Sequence, residues 1–150
     1  MCQSAATWDR PADRVLCVGA AHAWPGTAET LAALAGLTRP GGRLLFGDGY
    51  WERPPTEAAA ALFGDDVRPL GALVAQAGAA GWRVLHMSCA DQREWDAFES
   101  TWRAGQEEWC LRHPTAPQAE EVRRHLDARL SEYVDVYRGV LGFCYLVLGR

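Results

Sequence analysis

Residues 13–56 constrain the fold more than any other stretch, because they read as two apolar strands joined by one helix. The first strand, residues 14–20, is the run Val15-Leu16-Cys17-Val18, which stops at small residues before His22. Pro25-Gly26-Thr27 supplies a turn with Thr27 as a helix N-cap, and residues 28–38 carry Leu31, Leu34 and Leu37 on one face. Arg39-Pro40-Gly41-Gly42 is a compact stop-and-turn signal. The second strand, residues 43–47, is apolar enough to be covered on both faces. Two such strands linked by a helix pair in parallel, since parallel neighbours need a long crossover. Ligands of such sheets sit beyond the carboxyl ends of the strands, which here means near His22, Trp24, Asp48, Tyr50 and Trp51.

At 150 residues the chain is one domain by the usual length prior, and its 49% hydrophobic and 10% aromatic content is enough for a real core. No apolar run approaches the roughly 20 residues of a membrane span. The opening Met1-Cys2-Gln3-Ser4 lacks the basic and apolar regions of a secretion signal, so a cytoplasmic location is expected. A net charge of −4 argues against nucleic acid as a partner. All fifteen basic residues are arginine, which leaves no lysine for a Schiff base or a general base. The five cysteines, Cys2, Cys17, Cys89, Cys110 and Cys144, are widely and irregularly spaced, with no C-x-x-C pair to suggest zinc. Cys17 and Cys144 lie in apolar strands as small core hydrophobes. No His, Asp or Glu cluster has metal-ligand spacing.

Residues 1–12 form a polar lead-in. Residues 51–56 form a stiff loop, because Pro54 and Pro55 fix their own φ and restrict their predecessors. Helices are predicted over residues 57–63 and 69–80, the latter stopping at Gly81, and a third strand over residues 82–87. A long helix spans residues 91–112, with Trp95, Phe98, Trp102 and Trp109 near one face, where they pack on a neighbour or form part of a substrate lid. His113, Pro114 and Pro117 break it. A second amphipathic helix, residues 118–138, carries Val122, Leu126, Leu130, Val134 and Tyr137 as its stripe. Residues 140–148 close the chain as a strand. The predicted organisation is therefore a strand–helix core (13–88), a helical insert (91–138) and a final strand.

Several residues carry two readings. His22 is a general base active near neutral pH or a positioning histidine bonded to backbone. Gly19 and Ala20 let a ligand approach the backbone or simply pack at a strand end. Asp48, between Gly47 and Gly49, is a site-lining carboxylate or a turn former. Trp24, Tyr50 and Trp51 wall an apolar acceptor pocket or belong to the core.

Val15-Leu16-Cys17-Val18-Gly19-Ala20-Ala21-His22-Ala23 and the run Arg39-Pro40-Gly41-Gly42-Arg43-Leu44-Leu45-Phe46-Gly47-Asp48-Gly49-Tyr50-Trp51-Glu52-Arg53-Pro54-Pro55-Thr56 resemble segments of one family. That family is the class I S-adenosylmethionine-dependent methyltransferases, specifically their bacterial small-molecule group. Gly81-Trp82 and Leu141-Gly142-Phe143 add to the likeness, which covers roughly residues 13–150 and corresponds to the C-terminal half of the domain. The resemblance implies a partial Rossmann-like α/β sheet, mostly parallel with its last strand antiparallel, and a two-helix insert. It implies S-adenosylmethionine as cofactor, with Gly19, Ala20 and Ala21 against it and His22 as the catalytic base. It also implies a small organic acceptor near Trp24, Asp48, Tyr50 and Trp51.

The family's Gly-rich cofactor loop, E/D-x-G-x-G-x-G, occurs nowhere in the chain. The first strand should accordingly be an edge, exposed between Val15 and Val18, and this predicts self-association or a partner chain that supplies the other half. A non-catalytic remnant or assembly module that pairs through that edge is the alternative reading.

Overall fold

The computed structural model describes residues 7–150. Strand β1 (Ala12–Val18) leads through a 3₁₀ turn (Ala21–Ala23) into helix α1 (Thr27–Leu37), which passes directly into strand β2 (Thr38–Trp51). Helices α2 (Glu57–Phe63) and α3 (Leu70–Ala79) precede strand β3 (Arg83–Cys89). Helices α4 (Gln92–Arg112) and α5 (Ala119–Ser131) and a π-helical turn (Glu132–Tyr137) form the insert before strand β4 (Leu141–Gly149). The sheet order is β1-β2-β4-β3. β1 and β2 pair in parallel, and β4 runs antiparallel to both its neighbours. This is the α/β sheet the sequence predicts, with only the last strand reversed. Cys2 lies outside the described residues.

Local chemistry explains most boundaries. Thr56 caps α2 by accepting from Ala59 N–H. Asp91 and Glu94 form a reciprocal capping box on α4. Gly81, at φ 83°, ends the α3 turn in a conformation that suits glycine. The expected cap at Thr27 is a correction: Gly26, at φ 125°, occupies the N-cap position, and Thr27 turns its hydroxyl to Asp48 instead. The 39–42 turn sits inside β2 rather than before it. Ala12 pairs with Thr38 and Arg14 with Arg43, so four residues of β2 bulge out while β1 advances by two.

One face of the sheet is covered. Cys17, Leu44, Phe46, Tyr50, Cys144, Leu146 and Leu148 point into a core closed by Leu31 and Leu34 of α1 and by Leu73, Ala77 and Trp82. Trp82 locks this layer by donating its indole N–H to the Leu31 carbonyl at 3.0 Å. Among the described residues the opposite face has no such layer; Leu45 of β2 is only half-buried there, short of the cover on both faces that the sequence predicts. Leu16 is 72% exposed, and Val18, Leu85 and Tyr145 are exposed with it. β1 pairs only with β2 among the described residues, so its outer edge is open.

The insert packs through polar contacts as much as apolar ones. The buried positions of α4 are Glu99 and Cys110, while Phe98, expected on the packed face, is 62% exposed. Glu99 accepts from Tyr137 Oη at 2.7 Å, Trp102 Nε1 at 3.1 Å and Arg129 Nη2 at 3.3 Å. Asp96 accepts from Arg138 at 2.8 and 2.9 Å and from Tyr133 Oη at 2.6 Å. The predicted single helix over 118–138 instead finishes in the π-helical turn, which buries Tyr133 and Tyr137 and leaves Val134 and Leu130 exposed. No helix among the described residues is long and apolar enough to cross a membrane.

Candidate functional site

The carboxyl ends of β1 and β2 open into a cleft of about 210 Å³ lined by Gly19, His22, Thr27, Asp48, Phe63 and Asp66, among others. Its floor follows from the strand ladder. Gly19 N–H donates to Gly47 O at 2.8 Å, the last rung between the strands, and at φ 61° Gly19 then turns the chain away into the 3₁₀ turn that carries His22. That turn is tied down from below: the Thr30 hydroxyl lies 2.9 Å from Ala21 O and 2.7 Å from Gly26 O. His22 itself is solvent-exposed at the rim.

Asp48 is the half-buried charge of the cleft. Its Oδ1 accepts from its own neighbour, Gly49 N–H, at 2.9 Å, and its Oδ2 accepts from Thr27 Oγ1 at 3.2 Å. Burial pushes its carboxyl above the ordinary range, the two hydrogen bonds and His22 pull it back, and Asp66 adds a push upward. Asp66 enters from the α2–α3 connection and lies beside Gly26, where an added Cβ would stand 3.5 Å from its Oδ1. The cleft is thus a concave, acidic site with one histidine at its mouth.

The other expected residues fall as follows. Gly19 and Ala21 line the cleft, while Ala20 packs half-buried against the core. Trp24 also packs on the core. Tyr50 is a correction: it is 5% exposed within the core, its ring pressed so closely on Gly142 that a Cβ there would stand 2.5 Å from it, and burial pushes its hydroxyl well up. Trp51 stands behind the cleft, edge-on to Phe63 at 6.0 Å, and Tyr137 holds the other side of Phe63 at 5.0 Å. Phe63, Asp66 and Thr27 were not read as site residues in the sequence. Only the acceptor-like pattern of a Thr at a helix start was visible, and it suggested a cap.

A second, apolar cavity of about 380 Å³ adjoins the first at Gly19. Val18, Phe143 and Tyr145 of the uncovered sheet face form its floor, and Trp95 and Phe98 of α4 overhang it. Gly47 makes this floor possible, since a side chain there would meet Val18 and Phe143 at 3.0 Å. The Trp95 indole N–H is buried without a partner. Among the described residues no group of His, Cys, Asp and Glu is arranged to hold a metal ion.

No protein-family model matches the chain. Uncharacterized protein YjhP of Escherichia coli K12 is 33% identical over 136 residues, which are 87% of this chain and 55% of that protein. A SAM-dependent methyltransferase from Geobacter sulfurreducens, crystallised with S-adenosyl-L-homocysteine, superposes with a TM-score of 0.84 at 34% identity over 99% of this chain and 62% of its own. A SAM-dependent methyltransferase from Thiobacillus denitrificans, also crystallised with S-adenosyl-L-homocysteine, gives a TM-score of 0.82 at 31% identity, over 100% of this chain and 64% of its own. The chain therefore has a methyltransferase-type α/β fold and spans between 55% and 64% of the length of these relatives.

Proposed function

We propose that this chain is the acceptor-side portion of a class I S-adenosylmethionine-dependent methyltransferase, the C-terminal half of the domain, acting on a small organic molecule. The observation that carries the reading is the cleft at the ends of β1 and β2, which places His22 and Asp48 together in a chain 34% identical to a SAM-dependent methyltransferase. The lining fits part of the cofactor. The carboxylates of Asp48 and Asp66 favour a cationic centre such as a sulfonium, and Gly19 and Ala21 give the close approach that a nucleoside needs. At about 210 Å³ the cleft alone is smaller than the roughly 300–1,000 Å³ of complete small-molecule sites, and the adjoining cavity of about 380 Å³ at Gly19 extends it into that range.

In this reading the bound cofactor supplies an electrophilic methyl group. Gly19 and Ala21 back it with Ala20 bracing them against the core, Asp48 faces its positive charge, and His22 takes the proton of the acceptor nucleophile. The acceptor lies in the apolar cavity of Val18, Trp95, Phe98, Phe143 and Tyr145, across Gly19 from the cleft, and not against Tyr50. Trp24 and Trp51 support the site from behind. The protein's contribution is alignment of donor and acceptor in a partly dry space.

Calorimetric titration of this chain with S-adenosylhomocysteine tests the proposal. Micromolar binding, weakened at least tenfold in Asp48→Ala, supports it. Absence of heat favours the second reading, a non-catalytic assembly module. The bare sheet face and open β1 edge speak for that reading, since exposed apolar faces and strand edges recruit another chain. A cytoplasmic location goes with either proposal.

A further inference from the structure

Cys89 and Cys144 oppose each other across the antiparallel β3–β4 pair. The ladder fixes how close they stand. Ala90 N–H donates to Phe143 O at 2.9 Å, and these two residues are the next opposed pair beyond the cysteines. Opposed residues alternate between hydrogen-bonded and non-hydrogen-bonded pairs, so Cys89 and Cys144 form a non-hydrogen-bonded pair. In such a pair the Cα atoms are about 4.5 Å apart with side chains on one face, inside the roughly 4.4–6.8 Å that a disulfide requires. Cys89 is exposed and Cys144 fully buried. Tyr50 on β2 lies beside both sulfurs, and each of them disfavours its ionisation.

We propose that Cys89 and Cys144 are a reversible oxidation site, closing to a cross-strand disulfide when a two-electron oxidant of the peroxide class reaches Cys89. The Cys89 thiolate attacks one peroxide oxygen; an S–O bond forms, the O–O bond breaks, and the departing hydroxide takes a proton to become water. Cys89 is then a sulfenic acid. Cys144 Sγ attacks that sulfur; the S–S bond forms, the S–O bond breaks, and the thiol proton leaves with the hydroxide as a second water. Two thiols lose two electrons and the peroxide gains two. A dithiol reverses the cross-link by exchange.

Exposure sets the order, because only Cys89 meets solvent oxidant. Burial, with Cys89 and the Asp48 carboxylate adding to it, pushes the Cys144 thiol up to about 12, so closure is the slower step. The consequence lies in where the bond falls. Cys89 ends β3 just before the insert, and Cys144 stands in β4 just after it. The disulfide therefore staples both stems of the α4–α5 insert beside Asp48, which opposes Cys144 on β2.

The test treats the full chain with hydrogen peroxide, alkylates it in denaturant and maps its peptides by mass. The expected product is a Cys89–Cys144 peptide two hydrogens lighter than its parts, restored to two thiols by dithiothreitol. It is absent in Cys89→Ser. Cys144→Ala should stop at a Cys89 sulfenic acid that dimedone traps. Oxidation of wild-type Cys89 to a sulfinic acid, or into a Cys89–Cys89 dimer, without the Cys89–Cys144 peptide would overturn the proposal.

Discussion

Asp48 sits between Gly47 and Gly49, and each glycine has a physical task at that point. Gly47 makes room for the Val18, Phe143 and Tyr145 side chains on the bare face, and Gly49 brings its own N–H back to the Asp48 carboxylate. The carboxyl is still raised, chiefly by burial. A carboxyl whose folded pKa lies above its unfolded value supports the native state fully below the unfolded value and loses that support as pH rises through the folded one. Asp48→Asn removes the charge at every pH. Its melting temperature should therefore exceed wild type at pH 7, with the gain fading as pH falls toward about 4, the ordinary Asp range. Differential scanning calorimetry across that interval checks the sign. The sequence marked Asp48 and His22 as site residues because both follow strand ends. It gave no sign of Asp66, because a connection between two helices has no periodicity that says where its side chains go, and it placed Phe63 in a short helix without showing which way its ring faces.

The insert is the element whose register the sequence misjudged. Its periodicity placed Val134 on the buried stripe. The π-helical turn shifts the last residues, so that Tyr133 and Tyr137 face inward and deliver their hydroxyls to Asp96 and Glu99. Hydrophobic spacing could not show this, because the driving force is satisfaction of a carboxylate, Glu99, that is only 3% exposed. Tyr137→Phe removes the Glu99 hydrogen bond and should cost about 1.5–3 kcal/mol, the usual value for a buried bond to a charged group. Urea denaturation measures this. Burial, with Glu99 adding to it, also pushes the Tyr137 hydroxyl well above its usual range, and the Tyr133 hydroxyl goes up to about 12. Both raised values mean stability that is present below about pH 10, the ordinary tyrosine value, and lost above it. The loss above pH 10 should be smaller in Tyr137→Phe than in wild type.

At the level of the whole molecule, a sheet covered on one side is the dominant fact. Helices α1 and α3 bury one face, while Leu16, Val18, Leu85 and Tyr145 stand exposed on the other and β1 lacks an outer partner among the described residues. Exposed apolar surface beyond a few hundred Å² marks an association site in soluble proteins. Sedimentation velocity of wild type should show concentration-dependent association, and Leu16→Arg together with Val18→Arg should return the chain to monomer. A wild-type chain that stays monomeric at high concentration would remove the assembly reading.

The sequence by itself determined the element order and the place of the cleft, and its family resemblance carried the reversal of the last strand, while the caps at Thr56 and Asp91 emerged only with the structure. The order and the cleft follow from local propensity, turn chemistry and the rule that a helix crossover makes strands parallel. Tertiary structure alone decided which aromatic residues are core and which line a cavity, brought Asp66 to Gly26, set Cys89 opposite Cys144 and left one sheet face bare. Those outcomes depend on which distant segments meet, and a residue's neighbours in the chain carry no record of that.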